Sequence, residues 1–264
     1  MTNNKYRQEI NFLARKYALD PPRIIVFDCL DSTNKKIWKF IDNKEQLPIA
    51  VSALEQTSGR GQWGKTWYSQ KGGLYLSVAL ACDLPLENSF RIVMSTAVGI
   101  TRILRDYHLP VAIKWSNDLM LDRRKLGGIK IETKTHNNKI KYAVVGVGIN
   151  WQNSVPSMGI NLRSYYRDLL SDKSLQKIDS LEQLTAIVTV GILQGDRQYQ
   201  QLGISYIEKQ YQLLLNSIGQ QVTVNNCSGI ITGVTNTGKL KVRLQSSGAA
   251  TEITLSPGEF SLGY

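Results

Sequence analysis

Histidine, cysteine and proline are scarce in this 264-residue chain, at two, three and seven residues. The two histidines, His108 and His136, lie in unrelated segments, so neither a histidine-based nucleophile triad nor a histidine-rich zinc site can be assembled. Cys29, Cys82 and Cys227 are odd in number and widely spaced, which excludes a disulfide framework and any Cys-x-x-Cys metal or redox site. A reducing, cytoplasmic setting is the expectation. No stretch approaches the roughly 18 apolar residues of a membrane span, and the charged first twenty residues lack a signal-type apolar core. Acidic residues are outnumbered, 21 against 32 basic, for a net charge of +11. That excess fits nucleic acid, an anionic lipid surface, an acidic protein or a phosphorylated small molecule, or simply a solvated basic face.

What is present is a globular composition, 42% apolar and 20% charged with 21 glycines. At roughly 150 residues per domain it suits one large domain, or a large one with a small companion. Residues 3–18 have helical spacing, RIIVFD reads as a strand, and Asp31-Ser32-Thr33-Asn34 are natural helix N-caps for a helix reaching about Asn43. IAVSALEQ and LYLSVALAC read as strands around a polar, glycine-rich loop from Thr57 to Gly73, and a helix is expected from about Asn88. Three strands follow, VAIKW, GGIKIET and KYAVVGVGIN, linked by a basic stretch and a turn at Asn137-Asn138, which predicts an antiparallel or mixed sheet. Ser180–Leu215 is helical in pattern. After Gly219, short β-branched runs separated by Gly, Asn and Ser predict a small all-β module, with the domain boundary at Ser217–Gln220.

Three segments carry chemistry. Gly59-Arg60-Gly61-Gln62-Trp63-Gly64 satisfies Gly-x-Gly-x-x-Gly, but loop and strand residues follow where a dinucleotide site needs a helix. There remains either a mobile loop or a glycine-rich loop whose N–H groups and arginine can approach an anion. Lys114-Trp115-Ser116-Asn117-Asp118, with Arg123 to Gly128 shortly after, reads as a turn with solvated cations or as a carboxylate and amide able to hold Mg²⁺ and a polyphosphate. Gly146-Val147-Gly148-Ile149-Asn150 ends an apolar strand with glycines that mark a bulge or permit close backbone approach.

Taken in order, DSTN (31–34), EQTSGRGQWGKTW (55–67), GGLYLS (72–77), IKWSNDL (113–119), RKLGGIKIE (124–132) and GVGIN (146–150) resemble the biotin protein ligase family. The resemblance implies an α+β fold: a mixed sheet flanked by helices, related to class II aminoacyl-tRNA synthetases and lipoate ligases, over residues 1–217. A small SH3-like β-barrel would occupy 218–264. It implies ATP-dependent activation of biotin as biotinyl-5′-adenylate, then transfer to a lysine of a biotin carboxyl carrier domain, usually in acetyl-CoA carboxylase. Lipoate ligase shares the fold and is the alternative enzyme, and a biotin-responsive nucleic-acid-binding regulator is the alternative of another class. Only 30 residues precede Asp31, fewer than the roughly 60 of a winged-helix domain, so the expectation is a monofunctional ligase with no specific nucleic-acid partner and no membrane.

By the same resemblance Ser32, Thr33, Asn34, Gln56, Arg60, Gly61, Gln62 and Lys125 are the biotin-contacting positions. Gly59, Trp67, Asn117, Gly128, Gly148 and Asn150 fall on the ATP side, with Mg²⁺ near Asn117 and Asn150. Lys125, Arg60 and Asp118 would carry catalysis. Two departures stand out: Gln62 where many members have arginine, and a tail running Ser261-Leu262-Gly263-Tyr264 where some carry an arginine.

Overall fold

The computed structural model describes residues 2–169, 177–244 and 251–263. Its larger sheet has seven strands: β1 (Arg23–Leu30), β2 (Ile49–Gln56), β3 (Gly73–Pro85), β4 (Ala112–Lys114), β5 (Asp118–Leu121), β6 (Arg124–His136) and β7 (Lys139–Asn150). Their spatial order is β1-β2-β3-β7-β6-β5-β4. Only β1 and β2 run parallel, joined across α2 (Thr33–Asp42), and every other neighbouring pair is antiparallel, so the sheet is mixed.

Side-chain alternation divides the two faces. Leu74, Leu76, Val78, Val145, Val147 and Ile149 point into the main core, which is filled by α1 (Thr2–Lys16), α3 (Phe90–Asp106) and α5 (Leu181–Leu214). Val51, Ala79 and Val144 point the other way and meet Ile37 and Ile41 of α2. With its ten residues, α2 covers only part of that second face, and the remainder is open. On the core side α3 and α5 cross at glycines: a Cβ on Gly99 would lie 2.0 Å from the Gly191 carbonyl oxygen, and one on Gly195 the same distance from that of Ser95. Backbones this close leave no room for a methyl group.

A second, four-stranded antiparallel sheet contains β8 (Gln221–Val224), β9 (Cys227–Val234), β10 (Leu240–Leu244) and β11 (Thr251–Leu255). It begins one residue beyond the expected boundary. Gln245 and Tyr264, within runs read from the sequence, lie outside the described residues.

Several expectations need correction. The basic stretch is not a linker: from Arg124 it forms β6, in which Lys130 and Lys134 stand between apolar and small residues along the strand. A fourth strand, β5, was hidden because its four residues pair in a tight hairpin with the three-residue β4. Helix α3 starts at Phe90, after a 3-10 turn at Leu86–Asn88. Helix α4 (Leu162–Asp168), capped by the Asn161 side chain, carried too few apolar repeats to register. Gly146 and Gly148 lie in regular register with β3 and β6, so they mark close approach and not a bulge.

Burial on α5 pushes the Asp196 carboxyl up to about 6. The fold thus favours its neutral form, and its contribution to stability is lost as pH rises from about 4 through 6. A shift of this size corresponds to about 2–3 kcal/mol. Asp196→Asn is therefore expected to raise the melting temperature at pH 7 and to leave it unchanged at pH 4. Equal melting shifts at both pH values would assign the effect to something other than ionisation.

Candidate functional site

Parallel pairing sets Leu30 beside Gln56, so β1 and β2 deliver their carboxyl ends together. The chain leaves β1 through Ser32, the N-cap of α2, whose backbone is extended (φ −159°, ψ 134°) but whose side chain makes no capping bond. Gln56 substitutes for that cap: its Oε1 accepts from the Thr33 backbone N–H at 2.8 Å and from Thr33 Oγ1 at 3.1 Å, and its Nε2 donates to Ser69 Oγ at 2.9 Å. Beneath them Ser77 Oγ, fully buried, lies 2.7 Å from Thr33 Oγ1 and 2.6 Å from Asn34 Oδ1. Ser32, Thr33 and Asn34 are all buried, which fixes their side chains at one end of the open face. Ser77 was quoted within a motif but not assigned to the site, and its inward alternation on β3 is the signal that could have found it.

The floor is bare backbone. A Cβ on Gly148 would lie 2.4 Å from Trp67 Nε1, and one on Gly146 would lie 2.4 Å from Asn34 Oδ1. Trp67 lies over the first of these, its indole N–H buried without a hydrogen-bond partner. Gly128 adds to the same floor, 3.7 Å from the indole when a Cβ is placed on it. The loop carrying Trp67 folds back on itself through Trp67 N–H to Gly59 O at 3.0 Å and Gly61 N–H to Lys65 O at 2.7 Å. It opens no helix, which removes the dinucleotide reading. Gly59 is packed beneath, with Ser69 Oγ and Trp67 O both within 2.4 Å of a Cβ built there, so it shapes the loop from below.

The other end is cationic. Lys125 Nζ pairs with Asp118 Oδ1 at 2.7 Å and lies 5.5 Å from the Trp67 ring centroid, within cation–π range. Lys114, from β4, donates to the Gly263 carbonyl. Burial lowers its pKa; Asp118 works against that, and the neighbouring Lys125 and Lys65 add to it. Three lysines from three elements thus converge near one carboxylate. Lys114 was quoted within a motif but given no role in the site, because a lone lysine ending a strand has no distinguishing pattern. Arg60 stands exposed at the rim.

Together these groups line one cavity of 520 Å³. It brings together every residue named from the sequence except Gly59. It also takes in Lys130 and Glu132 of β6 and, from the chain's last segment, Phe260 and Leu262. Burial alone would raise the Glu132 carboxyl. The hydrogen bond from Trp38 (2.8 Å), with Lys130 at 3.4 Å, holds it below the usual range instead.

Asn117 and Asn150 do not build a resident metal cage. Asn117 Oδ1 accepts from Ser116 Oγ at 3.1 Å and Asn150 Oδ1 from Asn153 Nδ2 at 3.0 Å, while the nearby Asp118 carboxylate is engaged by Lys125. Among the described residues no cluster of three or more His, Cys, Asp or Glu side chains could hold an ion. Nor, among them, is any helix long and apolar enough to cross a membrane.

A mixed sheet with a glycine-floored cavity, neutral and hydrogen-bonding at one end and cationic at the other, has the shape and polarity to take a polar, anionic small molecule on an α/β scaffold. Residues 26–150, just under half of the chain, match the biotin/lipoate A/B protein ligase family. The bifunctional ligase/repressor BirA of Bacillus subtilis is 30% identical over 129 residues, covering 48% of this chain and 40% of that protein. The biotin–protein ligase of Schizosaccharomyces pombe is 30% identical over 243 residues, covering 81% of this chain and 37% of that protein. The chain therefore spans less than half the length of these curated relatives. The solved biotin protein ligase of Aquifex aeolicus in complex with biotin and ATP superposes with a TM-score of 0.71 at 23% identity, covering 90% of this chain and 97% of that one. That likeness establishes the fold.

Proposed function

We propose that this chain is an ATP-dependent biotin protein ligase, with residues 1–217 as the catalytic unit and 218–264 as an SH3-like companion. The carrying observation is the polarity of this cavity. Ser32, Thr33, Asn34 and Gln56 offer neutral donors and acceptors suited to a ureido ring, and Lys125 and Lys114 offer charge to a carboxylate and a polyphosphate. Leaving such buried polar groups unpaired costs about 1–3 kcal/mol each, which discriminates against ligands without a ureido group. Kinship with class II aminoacyl-tRNA synthetases belongs to the same reading, as does a cytoplasmic site of action.

In the first step a biotin carboxylate oxygen forms a bond to the α-phosphorus of ATP, and the bond to pyrophosphate breaks. The carboxylate is already ionised, so the obstacle is repulsion, on the order of 4 kcal/mol for two like charges 4 Å apart at an effective dielectric of 20. Lys125 and Arg60 lower it, Gly61 and Gln62 hold the acyl end, and Trp67 over Gly148 receives the adenine, flanked by Gly128. Mg²⁺ enters as part of the ATP substrate, near Asn117 and Asn150. In the second step an acceptor lysine nitrogen attacks the acyl carbon and AMP departs. That amine must first lose a proton, at a cost of about 4–5 kcal/mol at neutral pH. Asp118 positions the amine and takes the proton. The partner is a biotin carboxyl carrier domain such as that of acetyl-CoA carboxylase.

The test is to incubate the purified chain with ATP, Mg²⁺ and either biotin or lipoate, and to follow pyrophosphate release and transfer to an acceptor domain. Biotin-dependent pyrophosphate release and labelling are expected. Turnover with lipoate alone would make the chain a lipoate ligase.

Gln62 supplies a sharper expectation. Its Nε2 lies 3.4 Å from the Ile129 carbonyl oxygen, facing the floor with a neutral amide. A charge-assisted hydrogen bond there would contribute about 1.5–3 kcal/mol. Gln62→Arg should therefore slow release of biotinyl-adenylate by about tenfold or more. An unchanged off-rate would place retention of the intermediate elsewhere.

A further inference from the structure

The turn presenting Lys114, Asn117 and Asp118 to the cavity is held from behind by segments far along the chain. The Ile113 carbonyl accepts from Asn216 N–H at 2.9 Å, and Ile113 forms a parallel bridge with Leu215, just past the end of α5. Trp115 Nε1 donates to the Gly238 carbonyl at 2.9 Å, a buried bond into the β9–β10 turn of the small sheet. Tyr211 Oη donates to the Ser116 carbonyl at 2.6 Å, from a side chain with no solvent exposure. Gly238 itself is wedged: its φ is +82°, and a Cβ there would lie 1.8 Å from the Phe90 ring. On the front, Asn117 is pinned to β6, its Nδ2 donating to Ile129 O at 2.8 Å and its carbonyl accepting from Ile129 N–H at 3.0 Å.

We infer that Tyr211 and Trp115 are positioning residues for the ligase reaction: with Gly238 they clamp the Trp115–Ser116 backbone so that Asp118, and through it Lys125, stays in register with the bound substrates. The inference rests on the ligase reading above. Its structural basis is a division of labour. The neutral end of the cavity stands on α2, β2 and β3, none of which makes a hydrogen bond to Trp115, Ser116, Tyr211 or Gly238, whereas the cationic end stands on β4, β5 and β6, joined through β4 and the β4–β5 turn that carry the clamp's bonds. A turn bearing the reacting groups has few internal restraints, and a displacement on the order of 1 Å is enough to lower a rate a hundredfold. Asp118 also lies near enough for its charge to raise the Tyr211 phenol pKa.

The clamp predicts a split between binding and turnover. Tyr211→Phe and Trp115→Phe each remove one donor and keep the ring, while Gly238→Ala pushes the turn off Phe90 from the opposite side. For each variant, biotin affinity by calorimetry is compared with single-turnover rates of adenylate formation and of transfer from preformed biotinyl-adenylate. The expected result is a roughly tenfold fall in both rates, a biotin Kd within twofold of wild type, and cooperative melting. Wild-type rates in all three variants would overturn the inference. So would biotin affinity falling in parallel with the rates, because that marks a general loss of structure. A wild-type chain unable to carry out either half-reaction would overturn the ligase reading, and this inference with it.

Discussion

Lys125→Ala is expected to lower the rate of biotinyl-adenylate formation at least a hundredfold while the protein remains folded. The side chain is 28% exposed and its partner Asp118 15% exposed, so the ion pair is partly buried and its loss lowers the melting temperature without unfolding the protein. Its effect on the reaction is larger because it faces charge that develops during the step, in a cavity where water competes poorly. Removing one such donor from an enzyme site costs about 10²–10³ in rate. Lys125→Arg, which keeps the charge and can still stack over Trp67, should recover part of the loss. Pyrophosphate release under single-turnover conditions, with melting as the control for folding, decides the matter. Adenylation at the wild-type rate in Lys125→Ala would remove this lysine from the mechanism.

For Asp118→Ala the deficit should appear in the second half-reaction. Transfer from preformed biotinyl-adenylate to an acceptor lysine is expected to slow by about a hundredfold, the lower range for loss of a general base. The pH dependence carries the sign. As pH rises towards 10, the acceptor amine increasingly arrives already deprotonated. The gap between variant and wild type should therefore narrow. A gap that stays constant with pH would leave Asp118 a role in orientation alone, and a loss confined to adenylation would move it to the ATP groups.

Local pattern made much of this molecule legible. β2 was readable as a mostly apolar run after Pro48, and α2 because its capping residues stand directly before apolar positions at helical spacing. The glycines of the floor were visible as residues, but their purpose was not, since close approach of Trp67 to Gly148 joins positions 81 apart in the chain. The site residues emerged from spaced motifs because each motif ends a strand or turn on the same open face of the sheet. Ser77, Lys114 and Tyr211 went unassigned for a shared reason: each acts through one contact made by tertiary packing, and neither periodicity nor composition encodes it.

The strand order has a consequence for how the polypeptide reaches this state. β7 lies between β3 and β6, yet it is synthesised after both. Until residue 150 has emerged, β3 and β6 each lack a neighbour, and two apolar ladders stand open to unwanted pairing. The floor glycines Gly146 and Gly148 arrive with that same last strand. One strand therefore both completes the sheet and supplies part of the cavity floor. A half-made chain has no cavity to occupy, so small-molecule ligands can stabilise only molecules whose sheet has already closed.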